Sequence, residues 1–293
     1  MKTIPFEKLD AFTAGDSAGN PAGLVRLGRR DAMTSEEMQR LAAELGGLVS
    51  EVGYVLPAEK ADFELRYFSR EREVPFCGHA TVAILYRLIN DNPELYARPE
   101  LTILTRMGLL PVINRIAQEN LVYIHAPRPV WQDTAISRTG IAEALGLLPD
   151  DLDSERPLAL INVGQDILLV PLANKEAHIR CAPDYHRLRG FALANGFEIV
   201  AIHTKDTFLA AAHQRTRVFA PTFGYLEDPA TGSGNAALGY HLLREGEWDG
   251  SPLLIEQGPD PDHPNLVHLR TSADRVLIGG QAVCRIRGDY FLS

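Results

Sequence analysis

Apolar positions along the chain cluster and alternate in short runs, and these runs predict many strands and few helices. Segments 6–12 and 22–25 read as short strands with the turn-rich AGDSAGNPAG between them. Thr34-Ser35-Glu36-Glu37 is a helix start, capping hydroxyls followed by acids, and that helix runs through MQRLAAEL to Gly46-Gly47. Strands follow at 49–56 and 62–68, a helix over 78–89, and strands near 101–106, 109–116 and 121–126. The proline-rich APRPVWQ at 126–132 has little periodicity and reads as a linker. Beyond it, helices are expected near 138–146 and 183–195, with strands near 166–172, 197–203, 207–212 and 215–219. A helix over 232–244 and strands near 253–257, 265–270, 275–279 and 281–286 close the chain. No βαβ rhythm dominates, so the pattern predicts an α+β protein with antiparallel or mixed sheets, and not a Rossmann fold.

An internal repeat sharpens this reading. Arg66-Tyr67-Phe68 leads into EVPFCGHATVAILYRL (73–88), and Arg217-Val218-Phe219 leads into EDPATGSGNAALGYHL (227–242). Offset by 154, the longer segments agree at Glu73/Glu227, Pro75/Pro229, Gly78/Gly232, Ala83/Ala237, Tyr86/Tyr240 and Leu88/Leu242. Chance agreement over such a window is about one position. The repeat predicts two strand–loop–helix halves, which would bring both loops to one cleft if they face each other about a pseudo-twofold axis.

Composition narrows the function classes. The 293 residues carry 29 Lys and Arg against 38 Asp and Glu, a formal charge of −9, which argues against a nucleic-acid or anionic-membrane partner. The three cysteines, Cys77, Cys181 and Cys284, lie far apart and make neither a disulfide framework nor a zinc ribbon, so a cytoplasmic location is expected. No apolar signal-peptide core opens the sequence, and no run approaches the roughly 18–20 apolar residues of a membrane span. No dinucleotide, P-loop, zincin or serine-hydrolase motif occurs, and the histidines show no i, i+4 pair for a metal. These absences argue for chemistry done by side chains alone, such as proton transfer.

Each repeat loop opens a helix with small residues: Cys77-Gly78-His79 and Thr231-Gly232-Ser233. Free N–H groups at such helix starts can hold a carboxylate, although ordinary capping by Thr231 or Ser233 accounts for the same residue types. His79 is placed to bind or shuttle a proton, or to make one structural hydrogen bond. Asp228 is a catalytic carboxylate or simply complements the helix dipole. Cys77 is a nucleophile with a depressed pKa or a small buried thiol. Glu51 stands among apolar residues in the strand VSEVGYVL, where desolvation would raise its pKa and suit it to acid/base work, unless it sits at a strand edge facing water.

These blocks also carry a family resemblance. FEKLDAFTAGDSAGNPAGLV (6–25), the Ser50-Glu51 pair before its strand, RYFSREREVPFCGHAT (66–81), RVFAPTFGYLEDPATGSGNA (217–236) and VLIGGQAVCRIRGDYFL (276–292) resemble, in order, the PhzF-like phenazine-biosynthesis family. The resemblance implies the diaminopimelate-epimerase fold, two pseudo-symmetric halves each with a curved sheet around a central helix. It implies halves at 1–127, completed by a C-terminal strand near 282–293, and at 128–281. It also implies a cofactor-independent isomerase acting on a small carboxylate-bearing substrate, usually as a homodimer. The family's catalytic glutamate, histidine and aspartate match Glu51, His79 and Asp228, and its serine matches Ser233. Asn20, in the GNPA signature, joins Cys77, Gly78, Thr231, Gly232 and Ser233 as expected substrate-binding residues.

This sequence departs from the family where Ser69-Arg70 replaces the frequent Thr-Pro, where Gly234-Asn235 follows Ser233, and where the strand reads V-S-E-V-G-Y. Related epimerases use two facing cysteines, and the repeat alignment puts Cys77 opposite Thr231, whose hydroxyl is a poor base. An epimerase or racemase using Cys77, and a non-catalytic carboxylate-binding protein, stand as alternatives.

Overall fold

The computed structural model describes residues 2–292, which divide into two compact units. One runs to His125 and takes up the chain again from Gly279; the other is Ala126–Ile278. The first contains β1 (Lys2–Ala11), β2 (Asn20–Arg26), α1 (Ser35–Glu44), β3 (Glu51–Leu56), β4 (Phe63–Ser69), β5 (Glu73–Val74), α2 (Gly78–Asp91), α3 (Pro93–Tyr96), β6 (Glu100–Thr105), β7 (Gly108–Arg115), α4 (Ile116–Glu119) and β8 (Leu121–His125). The second contains β9 (Val130–Gln132), α5 (Arg138–Ala144), β10 (Ala159–Asn162), β11 (Asp166–Pro171), α6 (Lys175–Arg180), α7 (Tyr185–Asn195), β12 (Ile199–Thr204), β13 (Gln214–Phe219), β14 (Glu227–Asp228), α8 (Gly232–Arg244), β15 (Leu253–Gln257) and β16 (Asn265–Ser272). Strand β17 (Arg275–Gly280) leads to β18 (Ala282–Leu292), which returns to the first unit and pairs antiparallel along all of β1.

The two sheets share a topology. In the first unit β2 runs parallel to β3, β3 antiparallel to β4, β4 parallel to β6 and β6 antiparallel to β7. In the second the same relations join β11, β12, β13, β15 and β16. Each sheet curves around one buried helix: α2 touches β1, β2, β3, β8 and β18, and α8 touches β10, β11, β12 and β16. Both helices are buried on nearly every face because they lie inside a curved sheet.

The outer face of the first sheet is covered by α1. Thr34 Oγ1 accepts from the Glu37 N–H at 3.2 Å and Glu37 accepts from the Thr34 N–H at 2.8 Å, a complete capping box. The helix's Met38, Leu41 and Ala42 then pack against Val52, Tyr54 and Phe68. Strand alternation therefore turns Val52 and Tyr54 toward α1 and Glu51, Gly53 and Val55 toward α2. At Gly53 a Cβ would stand 2.2 Å from Ile84 Cδ1 of α2, so any side chain there would have to displace that methyl group. The glycine lets α2 approach β3 closely, and Glu51 lies two residues away on that same face.

Three expected segments differ. The 207–212 stretch forms turns and not a strand. The reason is the fully buried Glu256, whose carboxylate accepts the Phe208 and Leu209 N–H groups at 2.8 and 2.9 Å, so this backbone is satisfied without a ladder partner. The 126–132 segment is not a free linker, because Val130–Gln132 forms β9 and pairs with β10. The closing strand continues to Leu292, well past 286, because β1 offers ladder positions along its whole length.

Candidate active site

The strand–loop–helix repeat is built twice from one set of contacts. Arg66 forms a bidentate pair with Glu73, Nε to Oε1 at 2.8 Å and Nη2 to Oε2 at 2.9 Å. Arg217 pairs with Glu227 in the same way at 2.8 and 2.8 Å. Each guanidinium also lies over the phenylalanine two residues on, Phe68 at 5.1 Å and Phe219 at 5.0 Å. The planar arginine fork fixes the hairpin that delivers the chain to each helix start.

At the start of α2 three candidates come together. Cys77 is the N-cap, and its side chain makes no capping bond to the first turn. Its Sγ lies 3.6 Å from Glu51 Oε2 and 3.4 Å from His79 Nδ1. His79 Nε2 in turn lies 3.3 Å from Glu51 Oε2. Glu51 enters as the first residue of β3, held between Ala22 of β2 and Ser69 of β4. Side-chain exposure is 13% for His79 and 22% for Glu51, so the pair is screened from bulk water but not sealed.

Burial pushes the His79 pKa down to about 4, against a smaller opposing effect of its hydrogen bond to the Pro21 carbonyl. The ring is therefore neutral at pH 7 and has a single N–H. Two acceptors compete for it, the Pro21 carbonyl and the Glu51 carboxylate. When Glu51 is ionised the ring can donate to it; when Glu51 carries a proton the ring can accept from it and donate to Pro21. The arrangement is suited to taking up and releasing a proton at Glu51. Asn20 is fully buried at the head of β2, next to that Pro21.

The start of α8 is assembled differently. Thr231, the N-cap, also leaves the first turn uncapped and gives its hydroxyl to Asp228 Oδ2. Gln257 closes the loop: its Nε2 donates to Thr231 Oγ1 at 3.1 Å and to the Asp228 carbonyl at 2.9 Å, and its Oε1 accepts the Thr231 N–H at 2.9 Å. Ser233 donates to Gln165 Oε1 at 2.9 Å and is not a cap. Thr81 and Asn235 are equivalent in the repeat, and each donates to the N-cap carbonyl of its helix, Cys77 at 2.6 Å and Thr231 at 2.9 Å. A Cβ at Gly78 would meet only Ile124 at 3.8 Å, and at Gly232 only Ile278, at 3.5 Å or more, so crowding demands glycine at neither helix start.

Glu51, Cys77 and His79 form one cluster; Asp228 and Thr231 form another, with Gly232 and Ser233 following at the helix start. Gln257, Asn235, Gln165 and the Pro21 carbonyl are polar partners that linear motifs did not bring out. Asn235 was accessible in principle as the repeat partner of Thr81, whereas Gln257 ends an apolar strand with no motif of its own.

The sequence matches the family model for phenazine biosynthesis-like proteins over residues 9–288. The chain belongs to this PhzF family. A trans-2,3-dihydro-3-hydroxyanthranilate isomerase of Pseudomonas fluorescens is 32% identical over 299 residues, covering 97% of this chain and 98% of that protein. An uncharacterised isomerase of Bacillus subtilis is 31% identical over 269 residues, covering 89% and 88%. The solved PhzF-family structure from Bacillus anthracis superposes with a TM-score of 0.88 at 29% identity, covering 99% of this chain and all of that one. A hydroxyproline epimerase of Agrobacterium vitis shares the fold at TM-score 0.57 and 13% identity, covering 99% and 91%. The fold is thus the diaminopimelate-epimerase-like one, and the chain is an isomerase of the PhzF family. Among the described residues no helix is long and apolar enough to cross a membrane.

Proposed function

We propose that this PhzF-family isomerase works without a cofactor and moves a proton on a small carboxylate-bearing substrate, with Glu51 as the general acid/base. The observation that carries this reading is the Glu51–His79 contact at 3.3 Å, half-screened from water beside the start of α2. Glu51 removes a proton from a carbon activated by conjugation and returns it at another position. His79, neutral at working pH, exchanges its single N–H between Glu51 and Pro21 and so accommodates both states of the carboxyl group. The Pseudomonas fluorescens relative is named for an anthranilate derivative, itself a carboxylate, which supports the proposed substrate class.

On the strength of the sequence repeat and the family resemblance, Asp228 is assigned to proton relay or substrate orientation. Asn20, Cys77, Gly78, Thr231, Gly232 and Ser233 are assigned to substrate binding. A homodimer and a cytoplasmic location belong to the same reading. Glu51→Gln removes the base while keeping size and hydrogen bonding. Turnover should fall by about 10²–10⁴ or more with ligand affinity retained; full activity in that variant would sink the assignment.

One observation favours a second reading, an epimerase with Cys77 as a proton-transfer group: its sulfur lies 3.6 Å from Glu51 Oε2. Ligand-protected inactivation by a thiol alkylating agent supports that version, and a Cys77→Ala variant with normal rates removes it.

A further inference from the structure

The atoms gathered beside α2 also make a metal-ligand set that no sequence spacing displays. Glu51 supplies a carboxylate oxygen, Cys77 a sulfur and His79 a ring nitrogen, all within 4.8 Å of one another. Among the described residues no other group of three or more such side chains meets that condition. A tetrahedral zinc ion with ordinary bond lengths holds its ligands about 3.6 Å apart for sulfur–nitrogen and sulfur–oxygen and about 3.4 Å apart for nitrogen–oxygen. Here Cys77 Sγ lies 3.9 Å from His79 Nε2 and 3.6 Å from Glu51 Oε2, and Nε2 lies 3.3 Å from Oε2. Sγ lies nearer to Nδ1, at 3.4 Å, so rotation of both the Cys77 and the His79 side chains is needed to aim all three donors at one ion.

We propose that Glu51, Cys77 and His79 form a binding site for a thiophilic divalent cation, with zinc the best match and the fourth position open to water or a small ligand. The sulfur and imidazole donors select against magnesium and calcium, which take oxygen ligands. On binding, the Cys77 thiol loses its proton to solvent, and bonds from Sγ, Nε2 and Oε2 replace waters of the hydrated ion. Thiolate and carboxylate together cancel the cation's two charges. The backbone keeps the three residues close: Cys77 and His79 lie two residues apart at one helix start, and Glu51 is fixed by ladders to β2 and β4. The hydrogen bond from the His79 ring to the Pro21 carbonyl orients the imidazole, as outer partners of metal-bound histidines commonly do. Only the consequence for turnover rests on the role given to Glu51: a bound cation occupies the base and inhibits.

Cobalt(II) titration of the reduced 293-residue chain tests the site directly. The expected result is a one-to-one complex with a thiolate-to-cobalt charge-transfer band and four-coordinate visible bands, displaced by zinc. Cys77→Ser should abolish the thiolate band, Glu51→Gln and His79→Asn should each weaken binding by about tenfold or more, and Cys284→Ser should leave the spectrum unchanged. A wild-type complex without a thiolate band, or a band that survives Cys77→Ser, overturns the proposal. Should Cys77→Ser fail to fold by circular dichroism, Glu51→Gln and His79→Asn carry the test, and unchanged affinity in both overturns it. None of these readouts requires turnover. Loss of activity in Glu51→Gln without any cobalt binding leaves the isomerase reading standing, and cobalt binding with an active Glu51→Gln enzyme does the reverse.

Discussion

Glu51 of β3 and Ile199 of β12 occupy the same position in the two sheets. Val52 faces Phe68 across β3–β4, and Val200 faces Phe219 across β12–β13; Glu51 and Ile199 each precede those valines and open their strands. The duplicated framework therefore holds a carboxylate in one unit and a fully apolar side chain, 3% exposed, in the other. The same asymmetry continues through His79 and Ser233, and through Val74 and Asp228, which pair with the equivalent Tyr67 and Val218. Ile199→Val should lower stability by about 0.5–1.5 kcal/mol and leave kcat unchanged, whereas Glu51→Asp, which shortens the carboxylate's reach, should lower kcat. Denaturant titration and steady-state rates on both variants check the contrast.

His79 makes folding sensitive to acid. Its pKa falls from 6.5 in the unfolded chain to about 4 in the folded one, because burial disfavours the charged ring. Above pH 6.5 neither state binds the proton and stability is independent of this group. Between pH 6.5 and 4 the unfolded chain takes up a proton that the folded protein refuses, so stability declines as pH falls. The full contribution is about 3 kcal/mol. Urea unfolding across this window should show the decline, and His79→Asn should show a shallower one.

Gly78 and Gly232 have space for a methyl group within their own surroundings. Alanine at either position should change folding stability by less than about 1 kcal/mol. If the helix starts receive the substrate, the same variants should raise KM several-fold. Unchanged KM in both would separate these glycines from substrate binding.

Arg215 and Glu256 form an ion pair with no exposed side-chain surface, 3.0 Å between Nη1 and Oε1. Arg215 also donates to His178 Nδ1 at 3.1 Å and to the Gly258 carbonyl at 2.8 Å. Glu256→Ala would leave a buried guanidinium without its counter-charge and release the Phe208 and Leu209 N–H groups. We expect a loss of about 3–5 kcal/mol, read from the denaturation midpoint.

Residue pattern alone placed α1, α2, α7, α8 and most of the strands, because caps, β-branched runs and glycine stops act over a few neighbouring residues. It also reveals the duplication, since the Arg-x-Phe motif and the segments 73–88 and 227–242 recur along the chain. The residues themselves single out Glu51 and His79, and resemblance to the PhzF family matches both to catalytic positions. Glu51 stood out from its strand by burial logic, yet alternation alone left open whether it faced protein or water.

Tertiary structure decided that question. Gly53 admits α2 against β3, and the helix start brings Cys77, 26 residues further along the chain, and His79 to the Glu51 carboxylate. It also turned 207–212 from an apparent strand into a loop, since Glu256, far along the sequence, supplies the hydrogen bonds a ladder would have given. Which elements form follows from short-range propensity and pattern. Which donor meets which acceptor, and in what state of protonation, depends on long-range packing and the desolvation it imposes.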